Sequence, residues 1–221
     1  EPLPDGLELL VRHRVGPVLG ATPDGTQHLY IGDIGTNRGA RDPVVYRVEE
    51  PEVSLDQAAV EGTIDAVERL DFRYPDGQMH DSEALFVDPV TGDLFLVTKS
   101  GSGSSSVFRA AAPLLSGSTR TLEAVTTLRT EHDGQRGSEL ATGGSISPDG
   151  SLILIKTYTR AYLWLRAKNQ SVSDALAALP CRAPIPREPQ GEAIGFAANG
   201  KGYFTVSEGS SQPIYFLERS D

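Results

Sequence analysis

Hydrophobic positions along this chain fall into short runs separated by Pro, Asp, Asn and Gly, and the runs recur as a module. Each module reads as an apolar strand, a tight turn, a nearly continuous apolar strand, and a third strand richer in aromatic residues. It occurs four times, and a repeat of this kind decides the architecture before any single segment does. The turns are Thr22-Pro23-Asp24-Gly25, Asp88-Pro89-Val90-Thr91-Gly92, Ser147-Pro148-Asp149-Gly150 and Ala198-Asn199-Gly200. Each offers Gly or Asn where a hairpin needs a positive φ. The second strands are Leu29–Asp33, Leu94–Thr98, Leu152–Lys156 and Tyr203–Ser207, apolar enough to be covered on both faces. The third strands, Val44–Val48, Ser106–Ala110, Ala161–Leu165 and Pro213–Leu217, are more amphipathic and belong further out.

Taking Tyr30, Phe95, Ile153 and Phe204 as equivalent, the modules are spaced by 65, 58 and 51 residues. Repeats of about 40–50 residues with four strands each mark propeller blades, and the excess here fits in loops. The expectation is an all-β fold: a β-propeller of four recognisable four-stranded blades in one domain spanning residues 1–221, with one short helix. Fourth strands are read at Ala66–Phe72, Leu122–Leu128 and Arg182–Pro186. The helix would start at the N-cap Ser171, carry Asp174 in its first turn, set Leu176 and Leu179 on one face, and end at Pro180. A β-sandwich of about a dozen strands is the rival arrangement.

Charge narrows the partners. The 221 residues hold 30 Asp+Glu against 20 Lys+Arg, a net charge of −10, which excludes a nucleic-acid or anionic-membrane surface as the main partner. No apolar run approaches the roughly 18 residues of a membrane span, and the N-terminal residues lack the basic start and apolar stretch of a signal peptide. The single cysteine, Cys181, excludes an internal disulfide and a cysteine-cluster metal site.

Part of the acidity repeats. Six residues before the turn proline, or before Ala198 in the last module, stand Pro17, Glu83, Thr142 and Glu192, at the start of each innermost strand. Two modules share Glu-Ala-apolar there, where a β-strand does not ordinarily place a carboxylate. The antiparallel second strands end at the same edge of the blade, which groups Asp33, Lys99, Lys156 and Glu208 with Glu83 and Glu192 around one mouth of the channel. His80, Asp81 and Asn37 lie close by in sequence. Carboxylates crowded in a funnel raise one another's pKa unless a cation joins them. A hard cation, calcium with six to eight oxygen ligands, answers this; zinc does not, because His80 is the one nearby nitrogen ligand. The metal ligands expected are Asp33, Asp81, Glu83 and Glu192, and the ligand-binding residues Asn37, His80, Lys99, Lys156 and Glu208. The competing reading pairs Glu83 and Glu192 with Lys99, Lys156, Arg73 or Arg136 in a purely structural network.

These residues carry a resemblance. Gly32-Asp33-Ile34-Gly35-Thr36-Asn37, Val45–Pro51, His80–Leu85 and Pro189–Ile194 resemble a group of bacterial secreted β-propeller proteins of mostly unassigned function, from Val15 onward. The last module, Glu192–Gly209, is also similar to the terminal blade of β-propeller phytases, which are calcium-dependent phosphohydrolases. That likeness implies calcium at the channel mouth, held by inner-strand glutamates that match Glu83 and Glu192. It departs where Val11-Arg12-His13-Arg14 replaces an acidic stretch and where Thr36 replaces an Asp. Such proteins have five or six blades, so either an N-terminal blade is missing or Leu7–Val11 is an orphan strand that completes the ring.

Two functions follow as expectations. One is a secreted or periplasmic, calcium-stabilised propeller that binds an unknown small-molecule or protein ligand at its charged mouth. The other is a phytase-like phosphoesterase in which calcium holds phosphate and Lys99, Lys156 and Arg73 or Arg160 neutralise it. A covalent hydrolase fits worse: His80-Asp81-Ser82 sets three triad residue types side by side, but neighbouring residues point in alternating directions.

Overall fold

A computed structural model describes residues 15–22, 25–36, 39, 41–52, 63–64, 66–130 and 134–219. Strands β1 (Val15–Ala21), β2 (Gln27–Asp33), β3 (Val44–Glu49) and β4 (Glu68–Arg73) form blade 1. Of the next five, β5 (Ser82–Val87), β6 (Leu94–Thr98), β7 (Ser104–Ala110), β8 (Thr119–Thr121) and β9 (Glu123–Arg129), β8 crosses back to lie parallel on β4. The other four form blade 2. Blade 3 holds β10 (Ala141–Ile146), β11 (Leu152–Thr157), β12 (Ala161–Leu165) and β13 (Cys181–Ala183), with helix α1 (Val172–Leu176) between the last two. Among the described residues blade 4 has three strands, β14 (Gly191–Phe196), β15 (Gly202–Ser207) and β16 (Ile214–Glu218), where a four-stranded blade is expected.

The described residues form a four-bladed β-propeller fold with one very short helix. A sandwich would pool the strands into two facing sheets; here four sheets stay separate and their innermost strands, β1, β5, β10 and β14, pack in chain order. Among the described residues β14 does not pack against β1 as those neighbours pack against one another. The four turn glycines, Gly25, Gly92, Gly150 and Gly200, all have the positive φ that their hairpins require.

Because side chains alternate across a strand, every blade offers one face to each neighbour. Leu85, Val87, Leu94, Leu96 and Phe108 of blade 2 pack on Tyr30, Val45, Leu70 and Phe72 of blade 1. Its other face, with Ala84, Phe86, Phe95, Val97 and Val107, packs on Ile153, Ile155, Tyr162 and Trp164 of blade 3. Leu154 and Ala161 of blade 3 then meet Ile194 of blade 4, flanked by Phe196 and Tyr203. Blades 2 and 3 are also latched by Arg166, which donates to both oxygens of Asp88 at 2.8 and 3.0 Å.

Two expectations change. Helix α1 is capped by Ser171, whose hydroxyl accepts the Asp174 N–H at 3.0 Å, but it stops at Leu176 and buries Val172, Ala175 and Leu176 while Leu179 is 96% exposed. The fourth strand of blade 3 is shorter than read, ending at Ala183 before Pro184 and Pro186, which cannot donate to a ladder. The segment Leu7–Val11 and residues Pro23, Asp24 and Asn37 lie outside the described residues.

Candidate functional site

The position six residues before the turn is where the ladder slips. In the four inner strands the register shifts between Val15 and Val18, Ser82 and Ala84, Ala141 and Gly143, and Gly191 and Ala193. The extra residue is Glu83 in blade 2, Thr142 in blade 3 and Glu192 in blade 4. A bulged residue leaves the pairing and its side chain is re-aimed. That explains how a carboxylate can stand at the start of an otherwise apolar strand. In blade 3 the same position becomes a clamp, with the Thr142 hydroxyl donating to Gly191 O at 2.8 Å.

Glu83 and Asp81 converge under the loop after β2, where a Cβ on Gly35 would lie 3.3 Å from Glu83 Oε1 and 3.4 Å from Asp81 Oδ1. Asp81 Oδ1 accepts the Thr36 N–H at 2.8 Å. Lys99 donates its ammonium to the Tyr158 hydroxyl at 2.6 Å, and its Nζ is 3.9 Å from Glu83 Oε1. On blade 4, the Gln190 amide donates to Glu192 Oε1 at 3.0 Å and also to Glu208. Asp81, Glu83, Glu192 and Glu208 thus share a neighbourhood with the ammonium of Lys99.

The electrostatics follow from that imbalance. Burial pushes Glu83 up to about 7; Lys99 pulls it down, while Asp81, Glu192 and Glu208 add to the rise. Glu192 is also raised, first by burial, with hydrogen bonds from Gln190 and Tyr158 and the field of Lys99 opposing and Glu208 adding. Burial works to lower Lys99, but its bond to Tyr158 and the field of Glu83 outweigh it and hold the ammonium above its ordinary value. A pair of desolvated glutamates, one close to half-protonated at neutral pH, can take up a proton or a cation.

Lys156 lies behind this cluster, near enough to feel the field of Glu192 but paired with Glu188. Its side chain is fully buried, with Nζ 2.6 Å from Glu188 Oε2 as a close ion pair and not an aligned hydrogen bond. Burial lowers it and Glu188 resists. Gly191 makes room, since a Cβ there would come within 2.6 Å of both Nζ and Glu188 Oε2. In register Lys156 faces Gly143 as Val97 faces Ala84, so the residue that matches Lys99 and Glu208 is Tyr158, two places later.

Asp33 stands apart from the cluster. Its Oδ1 accepts from Arg41 at 2.5 Å, and it lines a separate pocket with Tyr46, Arg69 and Asp71. His80 Nε2 is 2.8 Å from Asp76 Oδ2 and its ring packs against Tyr74 and Phe108. Ser82 is buried and bonded to the Tyr74 hydroxyl at 2.8 Å, so no His-to-Ser relay forms. Tyr158 and Gln190 escaped the sequence reading. Aligning the modules by their turns, and not by where the apolar run stops, would have brought Tyr158 into line.

No family model matches the chain, and no curated protein matches it in sequence. Solved structures do. A periplasmic gluconolactonase of Pseudomonas aeruginosa aligns with a TM-score of 0.52 at 14% identity, over 91% of this chain and 56% of that one. A protein of Bacteroides uniformis, provisionally assigned as a 6-phosphogluconolactonase, aligns with a TM-score of 0.51 at 15% identity, over 92% of this chain and 53% of that one. The chain therefore spans just over half the length of either, and at such identities the likeness is one of fold. Among the described residues no helix is long and apolar enough to cross a membrane.

Proposed function

We propose that this propeller is a ligand- or partner-binding platform whose binding site is the carboxylate-lined mouth of its channel, with a calcium ion as part of that site. The observation that carries the reading is the pair of bulged, half-buried glutamates, Glu83 and Glu192, brought from two blades to one lysine and both raised in pKa by burial. A cation placed there would relieve the excess of negative charge. Calcium suits the donors, which are oxygens. Among the described residues, however, no three Asp, Glu, His or Cys groups already stand close enough to hold one ion, so backbone oxygens and water would complete its shell. A secreted or periplasmic location belongs to the same reading and draws on the fold shared with the periplasmic gluconolactonase.

The phosphoesterase reading has less support. It needs cations facing the substrate, yet Lys99 is engaged by Tyr158 and Glu83, and Lys156 is buried against Glu188.

Thermal unfolding in calcium and in chelator at pH 8 tests the proposal. At about a hundred times the dissociation constant, calcium should stabilise the fold by about 2.7 kcal/mol, raising Tm by roughly 5–10 °C in a domain of this size. Glu83→Gln and Glu192→Gln should each remove most of that rise. An identical Tm in calcium and chelator would sink the calcium part. Screening polar small molecules by thermal shift, with the same variants as controls, tests the platform itself.

A further inference from the structure

The turn from β11 to β12 serves two places at the mouth end of blade 3. Thr157 closes it: its N–H donates to Arg160 O at 2.8 Å, and its hydroxyl accepts the Arg160 N–H at 3.1 Å. Tyr158 goes to the carboxylate cluster, where its hydroxyl accepts from the Lys99 ammonium. Thr159, the next residue, lines a pocket of about 710 Å³ together with Arg136, Arg187 and Glu188. That pocket lies between the segment leading into β10 and the segment leading into β14. Gly137 packs on the Tyr158 ring with no room for a Cβ, which fixes the backbone beside Arg136. Pro186 and Pro189 stiffen the backbone around Arg187.

We propose that this pocket binds the oxyanion group, carboxylate or phosphate, of a small molecule. Three observations carry the assignment. Glu188, the one carboxylate among the lining residues, is spent inward: Lys156 Nζ lies 2.6 Å from it, the Thr205 hydroxyl donates to it at 3.0 Å, and its side chain is 1% exposed. Arg136 and Arg187 are exposed, and among the described residues no carboxylate pairs with either. On a chain of net charge −10, that leaves two guanidinium forks unopposed in one pocket, and such forks match the geometry of an oxyanion. Thr159 Oγ1 is shielded from water and has no hydrogen-bond partner among the described residues. A buried hydroxyl in that state is costly, and an acceptor oxygen beside it removes the cost. An apolar or cationic group satisfies neither the arginines nor the threonine. The volume is that of a small-molecule site. Because the pocket uses none of the residues expected to hold calcium, it stands whether or not calcium occupies the mouth.

NMR titration of the metal-free protein with inorganic phosphate and, separately, with succinate tests this, at constant ionic strength so that general screening stays fixed. Saturable shifts of the Thr159 amide and of the arginine side-chain N–H signals are expected, with a Kd of about 1 mM or below. Arg136→Gln and Arg187→Gln should each weaken binding at least about tenfold, and Thr159→Val about fivefold. Glu83→Gln should change it by less than about twofold, so this titration and the calcium melt fail separately. Saturation by phosphate alone assigns a phosphate ligand, by succinate alone a carboxylate ligand, and by both the shared oxyanion chemistry. No saturation with either anion up to about 50 mM overturns the proposal. So does binding that neither arginine variant weakens.

Discussion

Phe95, Val97 and Val107 on blade 2 hold the same ladder positions as Phe204, Val206 and Ile214 on blade 4, with Ala84 or Ala193 opposite the valine in each. Blade 3 covers the first set, and Phe95 is 2% and Val107 0% exposed. Among the described residues no blade lies over the second set, and Phe204 is 43% and Ile214 71% exposed. The same apolar grammar therefore yields a core in one place and a surface in the other. The residues set the capacity to be buried, and the neighbouring sheet decides whether it is used. At the mouth the two blades diverge more mildly: Glu83 has Lys99 close by, whereas Glu192 has Glu208.

The strongest way to break this comparison is to truncate the matched phenylalanines. Phe95→Ala should cost about 3–5 kcal/mol in urea unfolding, as for a fully packed aromatic. Phe204→Ala, half in water already, should cost about 1 kcal/mol or less when measured at dilution. Equal losses would mean that the far face of blade 4 is covered after all.

The matched glutamates come next, and pH separates them. A carboxyl raised from 4.5 to about 7 by folding binds more protons in the native state, so stability is full below about pH 4.5 and is lost as pH rises toward 7. For Glu83 the loss is on the order of 3 kcal/mol, and Glu83→Gln should abolish it and leave the protein more stable than wild type at pH 8 without calcium. Glu192→Gln should act in the same direction, since burial raises its carboxyl too. Stabilisation by calcium should fade as pH falls through about 7, where Glu83 takes up its proton; persistence of the full effect at pH 5 would point to other ligands.

The smallest effect compares Lys99 with Glu208. Lys99→Met removes the cation beside Glu83, so the pH window should widen upward, with a loss of about 1 kcal/mol at pH 8. Glu208→Gln should narrow it by a few tenths of a kcal/mol. Carboxyl titrations followed by NMR would read both shifts, and a Glu83 pKa that moves the same way in the two variants would contradict the charge assignment.

Much of the fold is legible in the residues. The Pro/Asp/Gly turns and the apolar runs between them carry the hairpins, because turn chemistry and strand alternation are local properties. The site is legible in part. Glu83 and Glu192 stand out because a carboxylate in an apolar strand is costly wherever it sits. Tyr158 does not, because its claim rests on the register of β10 with β11, and a bulge alters register without any mark that apolar counting detects. Counting apolar residues also sets Lys156 level with Lys99, whereas the ladder puts Tyr158 there and pairs Lys156 with Glu188 behind the mouth, and Asp33, at the end of β2, has its carboxylate held by Arg41.

The sequence by itself determined that this chain forms repeated antiparallel blades and which position in each would carry unusual chemistry, since both depend on spacing and residue type within a few tens of residues. Only the tertiary structure decided which charges meet, which lysine lies buried, and which of two like apolar faces reaches water. Those outcomes depend on neighbours distant along the chain, and the same short run of residues can meet a sheet, a counter-charge or solvent.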